Sequence, residues 1–325
     1  MMQRRTLLLA ASGLLAAPAV HAQAAWPARG SIRLIAQFPP GGLVDTVSRL
    51  MAPFMSSALG QTVLVENRAG AGGVIGTDFV AKAPADGYTL LVSHASVHVF
   101  AAATLPAMPF DPVADFTHIA HLVEAPNVLL VRAASPIQTL AQYIETARRQ
   151  PVRYGSSGIG SAPHMLGAML AGESNAANLD HVPYRGSAPA LQDLMANQIE
   201  SFIDPITTNV AMMRDGTLRA LAVSSPQRLP AFPNLPTFAE LGYGRLTSAQ
   251  WLGLSAPKGL PAPITERLAA LVPDILKQPA LMERFSDLQT LPRNPPPVGA
   301  EFVKVIEEDR AAWTAVARRF NIVAS

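Results

Sequence analysis

Four loops, each placed after a short β-rich run, concentrate glycines and hydroxyls in a way that suits an anion. The first is Phe38-Pro39-Pro40-Gly41-Gly42, leading toward Asp45, and the second is Asn67-Arg68-Ala69-Gly70-Ala71-Gly72-Gly73. The third is Ser93-His94-Ala95-Ser96, and the fourth, Gly155-Ser156-Ser157-Gly158-Ile159-Gly160-Ser161, precedes His164. Glycine lets backbone N–H groups approach a ligand, a helix N-terminus favours negative charge, and serine hydroxyls add adjustable donors. Together they form a set of neutral donors fit for a carboxylate. Taken singly, each loop also reads as an ordinary tight turn, where Gly and Ser are common. His164 falls in the first turn of the helix behind the fourth loop, where it is expected either to donate to an anion or to face solvent.

Other chemistries fit less well. No glycine-lysine-Ser/Thr run exists, which excludes a P-loop, and Gly70 to Gly76 resembles a dinucleotide fingerprint only loosely, with its third glycine one residue late. The serines of the fourth loop miss the G-x-S-x-G spacing of a serine hydrolase. His94 and His98 lie four apart and His118 and His121 three apart, but without an H-E-x-x-H arrangement or a third ligand no metal site is expected. Cysteine is absent, which removes disulfides, thiolate metal ligands and cysteine nucleophiles together.

The elements that must position these loops alternate between short β-rich runs and amphipathic stretches, the pattern of α/β layers on mostly parallel sheets. Expected strands are Ile32–Ala36, Thr62–Glu66, Thr89–Ser93, Asn127–Val131, Val152–Gly155, His181–Tyr184, Ser201–Asp204, Leu218–Val223 and Trp251–Ala256. Helices are expected over Asp45–Leu59 and Ile137–Arg149, near Leu166–Leu170 and Leu191–Met195, and over Pro263–Lys277 and Val298–Arg319. Because α/β sheets bind ligands beyond the carboxyl ends of their strands, the loops after strands are the natural place for a site. With 325 residues, the chain accommodates two α/β units, joined by crossovers near His121–Pro126 and between Ser224 and Trp251.

The N-terminus reads as an export signal. Arg4 and Arg5 form a charged start, Thr6 to Val20 an apolar run, and Ala22-Gln23-Ala24 a cleavage site, so removal is expected near Ala22 or Ala24. The apolar run is shorter than the roughly 20 residues of a membrane span. The chain has 25 basic and 23 acidic residues, and losing Arg4 and Arg5 leaves the remainder neutral. A neutral, cysteine-free exported chain has no electrostatic reason to bind nucleic acid or an anionic membrane, and a periplasmic location follows.

Read together and in order, the loops resemble the tripartite tricarboxylate transporter receptor family, the Bug receptors, a group of periplasmic solute-binding proteins. The likeness runs through Ile35 to Asp45, Val65 to Gly73, Ala85 to Leu91, Phe110 to Phe116, Tyr154 to Gly158, His181 to Gly186 and Leu218 to Val223. It implies a two-domain α/β periplasmic binding protein, a type II-like Venus flytrap with two crossover strands. The expected division is residues 25–122 plus 247–325 for the first domain, 123–246 for the second, and 1–24 as the removed signal. Carried onto this sequence, ligand-contacting residues would be Pro40, Gly41, Gly42 and Asp45 of the first loop, and Ser93, His94 and Ser96 of the third. From the second domain they would be Ser156, Ser157, Gly158, Ser161, His164, Tyr184, Arg185, Gly186 and Asp204. Asp45 and Asp204 have an alternative as residues that steady a helix start and a turn.

The resemblance further implies capture of a small carboxylate for integral membrane transporter subunits or a sensor, with no catalytic residue, cofactor or metal, by a monomer. The sequence departs from the family pattern after the third strand, where His94, Val97, His98, Val99 and Phe100 replace a polar run. A histidine there is expected to offer a positive partner at mildly acid pH. A secreted hydrolase using Ser157 or Ser93 with a histidine is the rival reading, and a module serving only signalling is another.

Overall fold

Runs rich in Ile, Leu and Val supply the strands, and the glycines that end them start the helices. The computed structural model describes residues 26–105, 107–319 and 322, so the export segment lies outside the described residues. In chain order, β1 (Ile32–Ala36), α1 (Leu43–Leu59), β2 (Val63–Asn67), α2 (Val74–Ala81) and β3 (Thr89–His94) come first. A π-helical turn, Ser96–Ala101, runs into the short α3 (Ala102–Thr104), and β4 (Phe116–Arg132) follows. Next come α4 (Leu140–Arg149), β5 (Val152–Ser156), α5 (Ala162–Ser174), β6 (Leu179–Pro183), α6 (Ser187–Met195), β7 (Ser201–Pro205), α7 (Val210–Arg214) and β8 (Leu218–Val223). The chain closes with β9 (Ala249–Pro257), α8 (Ala262–Ile275), α9 (Pro279–Asp287) and α10 (Ala300–Arg319).

The strands form one curled sheet in the order β2-β1-β3-β9-β4-β7-β5-β6, with β8 also on β4. Pairings of β1 with β2 and β3, and of β5 with β6 and β7, are parallel. Those of β9 with β3 and β4, and of β4 with β7 and β8, are antiparallel. The expectation of mostly parallel sheets is thereby corrected. Each outer part is parallel, but β4 and β9 pass between the two parts and make every central pairing antiparallel.

β4 spans 17 residues, where the sequence suggests only Asn127–Val131. Its first part, through Pro126, pairs with β9, and from Asn127 onward it pairs with β7 and β8. At that switch the Asn127 amide donates to Ser224 Oγ, the Ser224 amide donates to the Asn127 carbonyl, and the Ser248 amide donates to the Ser224 carbonyl. Both crossovers therefore meet at one hydrogen-bonded point.

Five apolar clusters hold the layers. One joins α1, α8 and α9 to the β1, β3, β9 and β4 face, and another places α2 on the opposite face. Two more cover the β5 and β7 region with α4, α5, α6 and α7. The fifth unites Val99 and Phe100, Met165 of α5, Trp251 of β9, and Phe302 and Ile306 of α10. Gly253 lets that cluster form, because a Cβ there would come within 2.2 Å of Phe302 Cζ. On α10, Phe302 and Ile306 are fully buried, while Val305, Trp313 and Val316 pack partly buried against the same cluster.

Candidate functional site

On the side of β1, the chain leaves the strand at Ala36 and turns through Phe38 to Gly42 into α1. Gly42 is the N-cap and offers no side-chain cap. The first amides of a helix have no intrahelical acceptor, so the N-terminus of α1 presents free donors. Asp45 does not point into the cleft. Its carboxylate accepts from the Gly41 amide at 2.9 Å, Asn67 Nδ2 at 2.9 Å and Arg49 Nε at 3.0 Å. Burial opposes ionisation of Asp45, but the bonds from Arg49, Gly41 and Asn67 outweigh it and hold its pKa below the ordinary value. Asn67 also donates to the Phe38 carbonyl at 3.0 Å, so this network sets the shape of the loop.

At the end of β3, Ser255 Oγ donates to Ser93 Oγ at 2.8 Å, and Ser96 Oγ donates to Gln250 Oε1 at 3.2 Å. Gln250 in turn donates to Asn127 Oδ1, tying the third loop to the point where the crossovers meet. His94 lies between these serines with 4% of its surface exposed, edge-on to Phe38 at 5.5 Å. Both of its ring nitrogens lack a hydrogen-bond partner. Burial, with a smaller contribution from His98, pushes its pKa down to about 3. The expectation of a positive partner at mildly acid pH is therefore corrected: the imidazole stays neutral because its surroundings cannot solvate the cation.

Across the cleft, the fourth loop is braced from beneath. Ser156 Oγ lies 2.6 Å from His181 Nε2, Ser161 Oγ donates to the Gly158 carbonyl at 2.7 Å, and Ser161 caps α5. His164 accepts from the Gly160 amide at 3.1 Å and stacks on His181 at 4.0 Å. These contacts give His164 a role beyond the two expected of it, as a brace for the loop. Gly186, the N-cap of α6, has φ 116 and gives no side-chain cap, leaving a second set of open amides. Ser187 Oγ donates to Asp204 Oδ1 at 2.7 Å, while Thr208 and Asn209 donate to Oδ2. Burial raises Asp204 to about 6 against those three bonds.

The two sides enclose two cavities. The inner one, of about 50 Å³, is lined by Pro40, Gly42, His94, Ser157, Arg185 and Gly186, together with Val44, Ala188, Pro205 and Gln250. The outer one, of about 860 Å³, takes in Gly158 and Tyr184 and the second loop from Ala69 to Ile75. Asp45, Ser93, Ser96, Ser156, Ser161, His164 and Asp204 line neither and lie behind the wall, and Gly41, which is exposed, lines neither as well. Among the described lining residues Arg185 alone carries a charge, and it has no acidic partner.

Sequence reasoning placed Phe38 in the first loop but not among the ligand contacts, and it missed Ala188, Pro205 and Gln250. Gln250 carried a usable signal, a polar residue directly before the apolar run of β9. Phe38 and Pro205 carried none beyond their position at strand ends. Ser157 is paired with no histidine among the described residues, and Ser156, which meets His181 in a part-buried contact, lines neither cavity. No group of three His, Cys, Asp or Glu side chains among the described residues is placed to hold a metal ion.

Comparison with known proteins gives this cleft a context. Residues 47–322 match the family model described as tripartite tricarboxylate transporter family receptor. The protein BugT of Bordetella pertussis is 36% identical over 288 residues, covering 86% of this chain and 88% of its own. A Rhodopseudomonas palustris protein solved with adipate superposes with a TM-score of 0.86 at 30% identity, over 92% of this chain and 99% of that one. MatC of the same organism, with bound malate, gives 0.83 at 32%, over 88% and 98%.

Proposed function

Because the chain belongs to the tripartite tricarboxylate transporter receptor family, a family of solute-binding receptors and not of enzymes, we propose that it captures a small carboxylate in the cleft. It would then present that solute to membrane transporter subunits. One observation carries this reading above the others. The uncapped N-termini of α1 and α6, from opposite sides, converge with the unpaired Arg185 on one cavity. Open helix amides and a guanidinium complement a carboxylate, and with no acid on the wall nothing repels it. The malate and adipate of the two solved relatives support a carboxylate of this kind.

In this reading Pro40, Gly42, His94, Ser157, Arg185 and Gly186 touch the ligand, and Gly158 and Tyr184 border it. Gly41, Asp45, Ser93, Ser96, Ser156, Ser161, His164 and Asp204 hold those residues in place. The expected domain division, 25–122 plus 247–325 and 123–246, is refined by placing its boundaries at Asn127 and Ser248, with closure about the point where Asn127, Ser224 and Ser248 bond one another. No helix among the described residues is long and apolar enough to cross a membrane. The export signal and its removal complete a periplasmic receptor that acts as a monomer.

Calorimetric titration of ligand-stripped protein with mono-, di- and tricarboxylates tests the proposal. At least one acid is expected to bind, and Arg185→Ala to weaken it by about 1.5–3 kcal/mol, the scale of a hydrogen bond to a charged group. Failure of every acid, or an unchanged affinity in the variant, contradicts it.

A further inference from the structure

The two cavities share Phe38, Pro39, Ser157, Arg185 and Gly186, so they are compartments of one cleft. They differ in size and chemistry. The inner one, at about 50 Å³, has room for a few water-sized groups, since about 10–15 Å³ of such space holds one water, and so for a carboxylate with a short stem. Its polar groups face inward: the open amides of α1 and α6, and the two unpartnered nitrogens of a buried, neutral His94.

The outer compartment, at about 860 Å³, is within the range of small-molecule sites. Ala69, Ala71, Val74, Ile75, Leu105 and Ile159 line it, and beyond the shared Arg185 it contains no charged side chain. Ile75 and Ile159, from the two sides of the cleft, stand 56% and 39% exposed, among few such large apolar residues at the surface of the described residues. The second loop approaches the fourth here, where a Cβ on Gly72 would lie 3.4 Å from the Ile159 carbonyl. Apolar side chains thus line the outer compartment from both sides, and the apolar part of a ligand seated there would be withdrawn from water.

We infer that the ligand is a monocarboxylate bearing an extended alkyl or aromatic group, with its carboxylate in the inner compartment and its apolar part in the outer one. The inference rests on the carboxylate-receptor reading above. A small hydrophilic diacid would leave the outer walls wet, and a second carboxylate would enter a compartment whose one cation already faces the first.

Two titration series on ligand-stripped protein test this. One runs through straight-chain monocarboxylates from acetate to octanoate and adds 3-phenylpropanoate; the other contains malate, adipate and citrate. Affinity is expected to rise along the chain by up to about fourfold per methylene, the scale of methylene burial. The longest chains and phenylpropanoate should exceed malate at least tenfold. In an Ile75→Asp, Ile159→Asp variant, both positions being exposed, the octanoate-to-acetate affinity ratio should fall at least tenfold. A flat chain-length series, tighter binding of malate or citrate, or an unchanged ratio overturns the inference and leaves the carboxylate receptor standing. If neither series binds, both readings fall.

Discussion

At the residue scale, the side chains with the most conspicuous chemistry serve the walls of the cleft. Asp45, Ser156, Ser161 and His164 are all hydrogen-bonded behind the surface they shape. That difference was only partly legible. Sequence position placed them in the right loops, but the direction of a side chain depends on partners distant in the chain, such as Asn67 for Asp45 and His181 for Ser156. His94 shows a clearer limit, because its neutrality comes from burial that no local pattern reports.

A pH consequence follows. His94 has its pKa lowered from 6.5 to about 3, so the unfolded chain binds its proton first and stability falls as pH drops through that window. His94→Gln keeps a neutral polar group of similar size that takes up no proton. Between pH 6.5 and 4 the wild type is therefore expected to lose stability faster than the variant, by up to about 1.4 kcal/mol per pH unit. Urea unfolding at pH 6.5, 5.5 and 4.5 measures this, and parallel losses would refute a buried neutral His94.

At the scale of elements, the parallel outer strands were legible because Ile, Leu and Val runs alternate with amphipathic helices. β4 was not. Its first part carries His118, His121 and Glu124, which interrupt the apolar pattern and are accommodated by partners that include distant ones, Ser255 and Arg293. His118 Nδ1 meets Ser255 Oγ at 2.9 Å, and Glu124 lies close to His121 and Arg293. The helix α9 was missed because Pro279 follows closely on α8 and reads as its end. Gly253 fixes how α10 seats on β9. Gly253→Ala is expected to cost about 1–3 kcal/mol, the range of overpacking in a filled core, since its Cβ would overlap Phe302. A lowered urea midpoint with an unchanged slope on denaturant would agree, and an unchanged midpoint would not.

At the scale of the molecule, function rests on two sheet parts that face each other across a cleft and are joined by β4 and β9. A Cβ on Gly186 would come within 3.2 Å of Pro39 Cγ, so the two sides touch at the inner compartment. α10 ties the sides together from behind through Phe302, Ile306 and Met165. A ligand that bridges both helix N-termini would favour this closed arrangement, because its contacts with the two sides exist together only there. The two α/β units and their crossings were legible in the chain. The convergence of α1 and α6 was not, since it depends on the long antiparallel centre of the sheet. A crystal structure of the protein with a bound acid tests that convergence most directly. The carboxylate should lie within hydrogen-bond distance of amides at the starts of both α1 and α6, with the Arg185 guanidinium beside it. A carboxylate held by one side only, or seated against the second loop away from these amides, would contradict the account.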